Sequence, residues 1–283
     1  MPQTYYDFNA SSVGKPDLHL AVANGFPPAS YHPLFDPMSD RYHVYSLPPR
    51  PLWTDPPAPA TMKHWESLAD DILAGFDQFK INKTIAAGHS FGGIATMIAA
   101  VKQPERFHAL ILLDPTLLPK KMLFVARLAR MFGMNSRNQL TQKALTRRSQ
   151  FDSIDEAYTY WRGKRLFRDW SDTSVRAYTE SLLKPNPDGG YELAWSTAWE
   201  ARYYDTLILN GWSWAAKLKN TLPILIIRGE TSNTFFENAE AGLRKLLPQA
   251  DFALIKGHGH LFPHSAPDET RSLMTDWLSQ QGM

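Results

Sequence analysis

Short apolar runs recur along the chain at residues 18–23, 42–47, 84–87, 109–113, 224–227 and 252–255. Runs such as LILL at 110–113 and ILII at 224–227 are unbroken aliphatic stretches. That pattern predicts strands buried on both faces, the condition of a parallel sheet. Between the runs lie segments with a period near 3.6 residues. Residues 62–79 put Trp65, Leu68, Ala69, Ile72 and Phe76 on one side, and residues 92–103 are apolar almost all round, which predicts a buried helix. Residues 235–247 and 269–279 read as amphipathic covering helices. Strands alternating with helices predict an α/β fold: a mostly parallel sheet flanked by helices.

The alternation stops between about Pro115 and Thr221, where the pattern becomes long, helical and rich in arginine and tryptophan. That stretch carries 17 Lys and Arg against 10 Asp and Glu, while the rest of the chain carries 13 against 18. The shift marks an insertion: residues 116–220 are expected to form a helical cap on a core made of residues 1–115 and 221–283. The positive excess by itself suits a solvated face. Residues 47–59 (LPPRPLWTDPPAP) are too proline-dense for helix or central strand and predict a stiff surface loop.

With 283 residues, 43% apolar and 20% charged, the chain is long enough for a substantial core. A net charge of only +2 gives no argument for a nucleic-acid partner. There is no cysteine, which excludes disulfides, thiolate metal sites and a cysteine nucleophile. The first residues lack a basic stretch followed by an apolar run. No apolar stretch approaches the roughly 18 residues of a membrane span, so a soluble, cytoplasmic protein is expected.

The sharpest chemical signal is GHSFG at 88–92, placed between the apolar run 84–87 and the helix that follows. In a strand–turn–helix setting this G-x-S-x-G pattern holds a serine on a strained bend, and glycine two positions to either side removes the Cβ atoms that would clash. Ser90 is the candidate nucleophile. The first turn of the helix offers unpaired N–H groups, and that of Phe91 is placed to donate to a developing oxyanion.

With this motif the chain resembles the α/β-hydrolase superfamily over nearly its whole length, and the cap resembles that of poorly characterised bacterial capped hydrolases. The first long strand runs into Asn24-Gly25-Phe26-Pro27, similar to the H-G-F-P turn of that superfamily, with Asn24 in place of the histidine. The resemblance implies that the Phe26 N–H is the second oxyanion donor. It also implies a catalytic histidine after the last strand. His260, followed by Leu261 and Pro263, fits better than its neighbour His258. His89 reads as a packing residue beside the oxyanion donors. His19, His32, His43, His64 and His108 have no partner spacing, and no metal-ligand or cofactor motif stands out.

The expected acid is less direct. Many superfamily members carry it a few residues after the penultimate strand, where this chain reads Arg228-Gly229-Glu230-Thr231-Ser232-Asn233, with no aspartate. Some related dehalogenases place the acid at the end of the strand before the cap. Here that strand ends in Asp114, ahead of Pro115. Asp114 is the expected acid and Glu230 the alternative.

A serine nucleophile favours acyl transfer over displacement at an alkyl carbon, which would leave a stable ether. The expectation is therefore a serine hydrolase, using no cofactor or metal, that cleaves carboxylic esters of small to medium apolar compounds. The apolar stretch Leu117, Leu118, Met122, Leu123, Phe124, Val125, Leu128 and Met131 and the cap tryptophans suit such a substrate. Lactones, thioesters or activated C–C bonds are alternatives for the same residues, and a ligand-binding protein without turnover is the alternative from another class.

Overall fold

The computed structural model describes residues 4–9, 14–132 and 139–283. Its strands are β1 (Tyr6–Asp7), β2 (Asp17–Ala21), β3 (His43–Ser46), β4 (Thr84–His89), β5 (Phe107–Leu113), β6 (Gln150–Phe151), β7 (Leu183–Pro185), β8 (Tyr191–Leu193), β9 (Ile224–Gly229) and β10 (Asp251–Ile255). Seven of them form one sheet in the order β1-β3-β2-β4-β5-β9-β10. All neighbours are parallel except the short β1, which pairs antiparallel with β3 at one edge. Each of the six apolar runs supplies one of the parallel strands.

Burial follows the aliphatic pattern. Every residue of the central strands β4 and β9 is buried, and in β5 only His108 is exposed. Helix Phe91–Lys102 buries all of its first ten residues, as its all-round apolar composition requires. Helix Glu66–Gln78 buries Leu68, Ala69, Ile72, Leu73 and Phe76, the stripe its periodicity predicts. Strand order changes direction around β2 and β4, and the carboxyl ends of parallel strands at such a point are where open α/β sheets bind ligands.

Between β5 and β9 the described residues form six α-helices and a short 3-10 turn, with one departure from the expected all-helical insertion: β6, β8 and β7 form a small antiparallel sheet. The turn from β7 to β8 runs through Asn-Pro-Asp-Gly-Gly at 186–190. Gly189 and Gly190 take positive φ angles of 106° and 66°, and the Asn186 N–H closes on the Gly190 carbonyl at 3.0 Å. Three helices of this segment start on serine caps: Ser153, Ser171 and Ser196 accept from the N–H groups of Glu156, Ser174 and Trp199.

The segment packs on the rest of the chain through helix Asp172–Leu182, which lies against residues 28–35, and is hydrogen-bonded to it through helix Thr197–Asp205. Trp65 Nε1 donates to the Tyr203 carbonyl at 3.0 Å, Arg202 Nε to the Met62 carbonyl at 2.7 Å, and Asn24 Nδ2 to the Glu200 carbonyl at 3.0 Å. Trp161, Trp170, Trp195 and Trp199 are buried in one continuous cluster with the sheet residues, so they act chiefly as packing. Among the described residues, no helix is long and apolar enough to cross a membrane.

Candidate active site

The bend at 88–92 shows why the pattern needs glycine. A Cβ on Gly88 would lie 2.6 Å from the Gly92 carbonyl oxygen, and one on Gly92 would lie 2.3 Å from that of Ala21. Between them Ser90 takes φ 59° and ψ −121°, a conformation a non-glycine residue adopts only when its surroundings enforce it. The enforcement is visible: the Ser90 N–H donates to the Leu113 carbonyl at 3.0 Å, and the Thr116 N–H donates to the Ser90 carbonyl at 3.2 Å. The side chain thus stands at the carboxyl end of β4, at the head of helix Phe91–Lys102.

Two residues far away in sequence complete a hydrogen-bonded chain. Ser90 Oγ lies 2.9 Å from His260 Nε2, and His260 Nδ1 lies 2.6 Å from Asp114 Oδ2. A carboxylate oxygen only accepts, so Nδ1 carries the imidazole proton, Nε2 is the acceptor, and the serine hydroxyl donates to it. Asp114 is fully buried just past the end of β5, with a φ of 44° that swings its side chain across β9. Its Oδ1 accepts the Gly229 N–H at 2.9 Å, and its Oδ2 also accepts the Ser232 hydroxyl at 2.5 Å. Three donors therefore converge on one buried carboxylate, the condition under which burial is tolerated.

The alternatives lie elsewhere. Glu230 is exposed and accepts the Gly257 N–H at 2.7 Å, and His258 bonds Ser265 Oγ at 2.8 Å. Two neighbours escaped the sequence reading. One is Ser232, which stands where an acid was sought and found missing. The other is Thr116, whose Oγ1 is 3.0 Å from Ser90 Oγ. Because the serine proton is directed to His260, Thr116 is the donor in that pair.

The oxyanion side is mixed. Phe91 opens the helix, so its N–H has no carbonyl one turn earlier to bond. Phe26 requires a correction: its N–H donates to the Ala23 carbonyl at 3.1 Å, so it is not the free donor expected. The cause is Gly25, whose φ of 78° folds residues 23–26 into a turn that closes on that N–H. Next to Gly25 lies the carboxylate of Glu200, which holds Arg147 Nη1 at 2.5 Å, while Arg147 Nη2 donates to Tyr178 Oη at 3.0 Å. Burial would lower the Arg147 pKa, but Tyr178 and Glu200 together push it upward.

His89 does more than fill space. Its Nε2 lies 3.0 Å from the carbonyl of His260 and its Nδ1 lies 2.7 Å from Tyr31 Oη. The carbonyl must accept, so Nε2 carries the proton and Tyr31 donates to Nδ1. Tyr31 Oη in turn accepts the Ala23 N–H at 3.0 Å. A directed chain therefore runs from the turn at 23–26 through Tyr31 and His89 to the backbone of His260. Burial, reinforced by His260 and His264, holds His89 well below the usual imidazole range, so it stays neutral. His264 is likewise pushed down to about 3 by burial and stacks against Phe26 and Trp170 at 5.0 and 4.7 Å between ring centres. Among the described residues no group of three His, Asp or Glu side chains is arranged to hold a metal ion.

This arrangement can move a proton from a hydroxyl to an imidazole beside a helix N-terminus, the equipment of nucleophilic catalysis. Comparison with known proteins agrees in fold. The chain is 25% identical over 252 residues to 2-(acetamidomethylene)succinate hydrolase of Mesorhizobium japonicum, covering 88% of this chain and 83% of that protein. The crystal structure of an E-2-(acetamidomethylene)succinate hydrolase superposes with a TM-score of 0.77 at 22% identity, covering 94% of this chain and 91% of the other. A thioesterase domain from the curacin biosynthetic pathway superposes with a TM-score of 0.73 at 16% identity, covering 93% and 92%. A family profile for the α/β hydrolase fold matches residues 22–267, and with that match over most of its length the chain belongs to the α/β-hydrolase family.

Proposed function

We propose that the protein is a serine hydrolase that cleaves carboxylic esters of small to medium apolar compounds through an acyl-enzyme on Ser90. The observation that carries this reading is the 2.9 Å contact of Ser90 Oγ with His260 Nε2, itself backed by Asp114 at 2.6 Å. His260 takes the hydroxyl proton as Oγ attacks the ester carbonyl, and Asp114 orients the ring and supports the imidazolium. The Phe91 N–H donates to the oxyanion. His260 then passes its proton to the leaving alcohol and removes one from the water that opens the acyl-enzyme. Residues 116–220 act as a cap over this site, and the partly buried ring of Phe26, packed on Trp170 and Tyr178, supports an apolar acyl or alcohol group.

The test is release of p-nitrophenol from short-chain esters by the wild type and by Ser90→Ala, with a fluorophosphonate probe to locate the nucleophile. A covalent adduct on Ser90 and turnover lost in Ser90→Ala are expected. Absence of both adduct and turnover would move the protein to the ligand-binding class. The fold likeness to a thioesterase domain favours a second reading, a thioester or lactone substrate for the same residues. Comparing kcat/KM over esters, thioesters and lactones separates the two.

A further inference from the structure

Helix Lys120–Met131 is amphipathic with its apolar side turned outward. Phe124, Val125, Leu128, Met131 and the adjoining Phe132 are between 38% and 70% exposed. Their spacing puts them on one face over successive turns. The opposite side is the one that meets the protein: Leu123 is buried, Arg127 Nη2 donates to the Leu209 carbonyl at 2.8 Å, and Arg130 Nη2 donates to that of Leu207 at 2.8 Å. A helix that only covered a core would present the reverse. Five large apolar side chains on one exposed face form a surface that water solvates poorly and that a partner would cover.

The charge around this face says which partner. The helix carries Lys120, Lys121, Arg127 and Arg130, and no Asp or Glu occurs between Asp114 and Asp152. Lys120 and Lys121 occupy its first turn, beside the apolar face. We propose that this face seats on an anionic lipid surface, with Phe124, Leu128, Met131 and Phe132 entering the acyl boundary and Lys120 and Lys121 meeting headgroup phosphates. A second copy joined through the same patch would set the lysine pair Lys120 and Lys121 against its own copy with no acid between them. Nucleic acid would match the charge and leave the apolar face uncovered.

Flotation of the full chain with vesicles tests this, and because it reads binding alone it stands apart from the hydrolytic reading. Vesicles of phosphatidylcholine mixed with phosphatidylglycerol should carry the protein up at low salt, pure phosphatidylcholine vesicles should carry far less, and added salt should release it. The variant Phe124→Ser/Leu128→Ser/Phe132→Ser should lower binding by more than about tenfold while keeping its thermal transition. Lys120→Gln/Lys121→Gln should weaken binding to the anionic vesicles only. Equal binding to both vesicle types, no binding at low salt, or undiminished binding by the serine variant each overturns the proposal. So does a dimer in light scattering that the serine variant turns into a monomer, because the face then belongs to a second copy.

Discussion

Ser232 donates its hydroxyl to Oδ2 of Asp114 at 2.5 Å, across 118 residues of sequence. The direction of this bond is settled by its other partners, since Ser232 Oγ accepts the N–H groups of Thr234 and Phe235, each at 3.1 Å. The loop after β9, where many relatives carry an acid, here carries a donor to an acid that comes from the end of β5. The carboxylate is reached from the other side of the same gap.

It follows that Ser232→Ala should weaken the support of Asp114 without removing the carboxylate. Kcat/KM on a soluble ester is expected to fall about tenfold, the worth of one hydrogen bond to a charged group. Asp114→Asn removes the charge and disturbs the imidazole tautomer, so its loss should be on the order of a thousandfold or more. Glu230→Gln should change little, because its carboxylate faces Gly257 and solvent. A large loss in Glu230→Gln with a small one in Asp114→Asn would reverse the assignment.

The chain from Ala23 through Tyr31 and His89 to the His260 carbonyl makes His89 a positioning residue. His89→Ala should lower kcat with KM little changed, because the ground-state pocket is untouched while the imidazole loses its backbone anchor. His89→Gln, which can still present an N–H to that carbonyl, should recover part of the loss. Tyr31→Phe combined with His89→Ala should cost about as much as His89→Ala alone, since both act through one chain. Strict additivity in kcat would separate the two residues.

Much of this was readable in advance because the pattern is strongest where burial is strictest. LILL and ILII announce β5 and β9, and GHSFG announces the bend, since only glycine fits at positions 88 and 92. The strands between β5 and β9 were less visible. They are two or three residues long, too short for a periodic apolar pattern, and the β7–β8 pair owes its pairing to the turn at 186–190. Ser232 and Thr116 were missed for a different reason: a hydroxyl that tunes a neighbour has no sequence signature until the neighbour is in place. Phe26 shows the converse. A motif brought the right turn, but which carbonyl its N–H meets depends on the φ angle of Gly25.

The pair Arg147–Glu200, beside Gly25, sits where a single truncation leaves a partly buried charge alone. Arg147→Met and Glu200→Met, each alone, should destabilise by about 3 kcal/mol, within the range for breaking a buried pair from one side. Arg147→Met/Glu200→Met should lose clearly less than the sum of the single changes. Urea unfolding of the four proteins measures this, and equal, additive losses would remove the claim that the charges depend on each other.

The buried histidines set the response to acid. Burial lowers His19 and His264 from 6.5 to about 3, and burial with its neighbours His260 and His264 lowers His89 well below the same value. Above the unfolded value neither the folded nor the unfolded chain binds these protons, so all of the stability is present. As pH falls from 6.5 toward about 3, the unfolded chain takes them up and the folded chain refuses them. Stability should therefore decline with falling pH at about 1.4 kcal/mol per unit for each histidine, once the unfolded groups are fully protonated. Urea midpoints measured between about pH 7 and pH 5 should drop steeply, with about three protons taken up on unfolding from these groups. Replacing His19 by Phe, which cannot titrate, should remove about one of them. A midpoint that is flat over this range would mean that these imidazoles accept their protons while the protein is still folded.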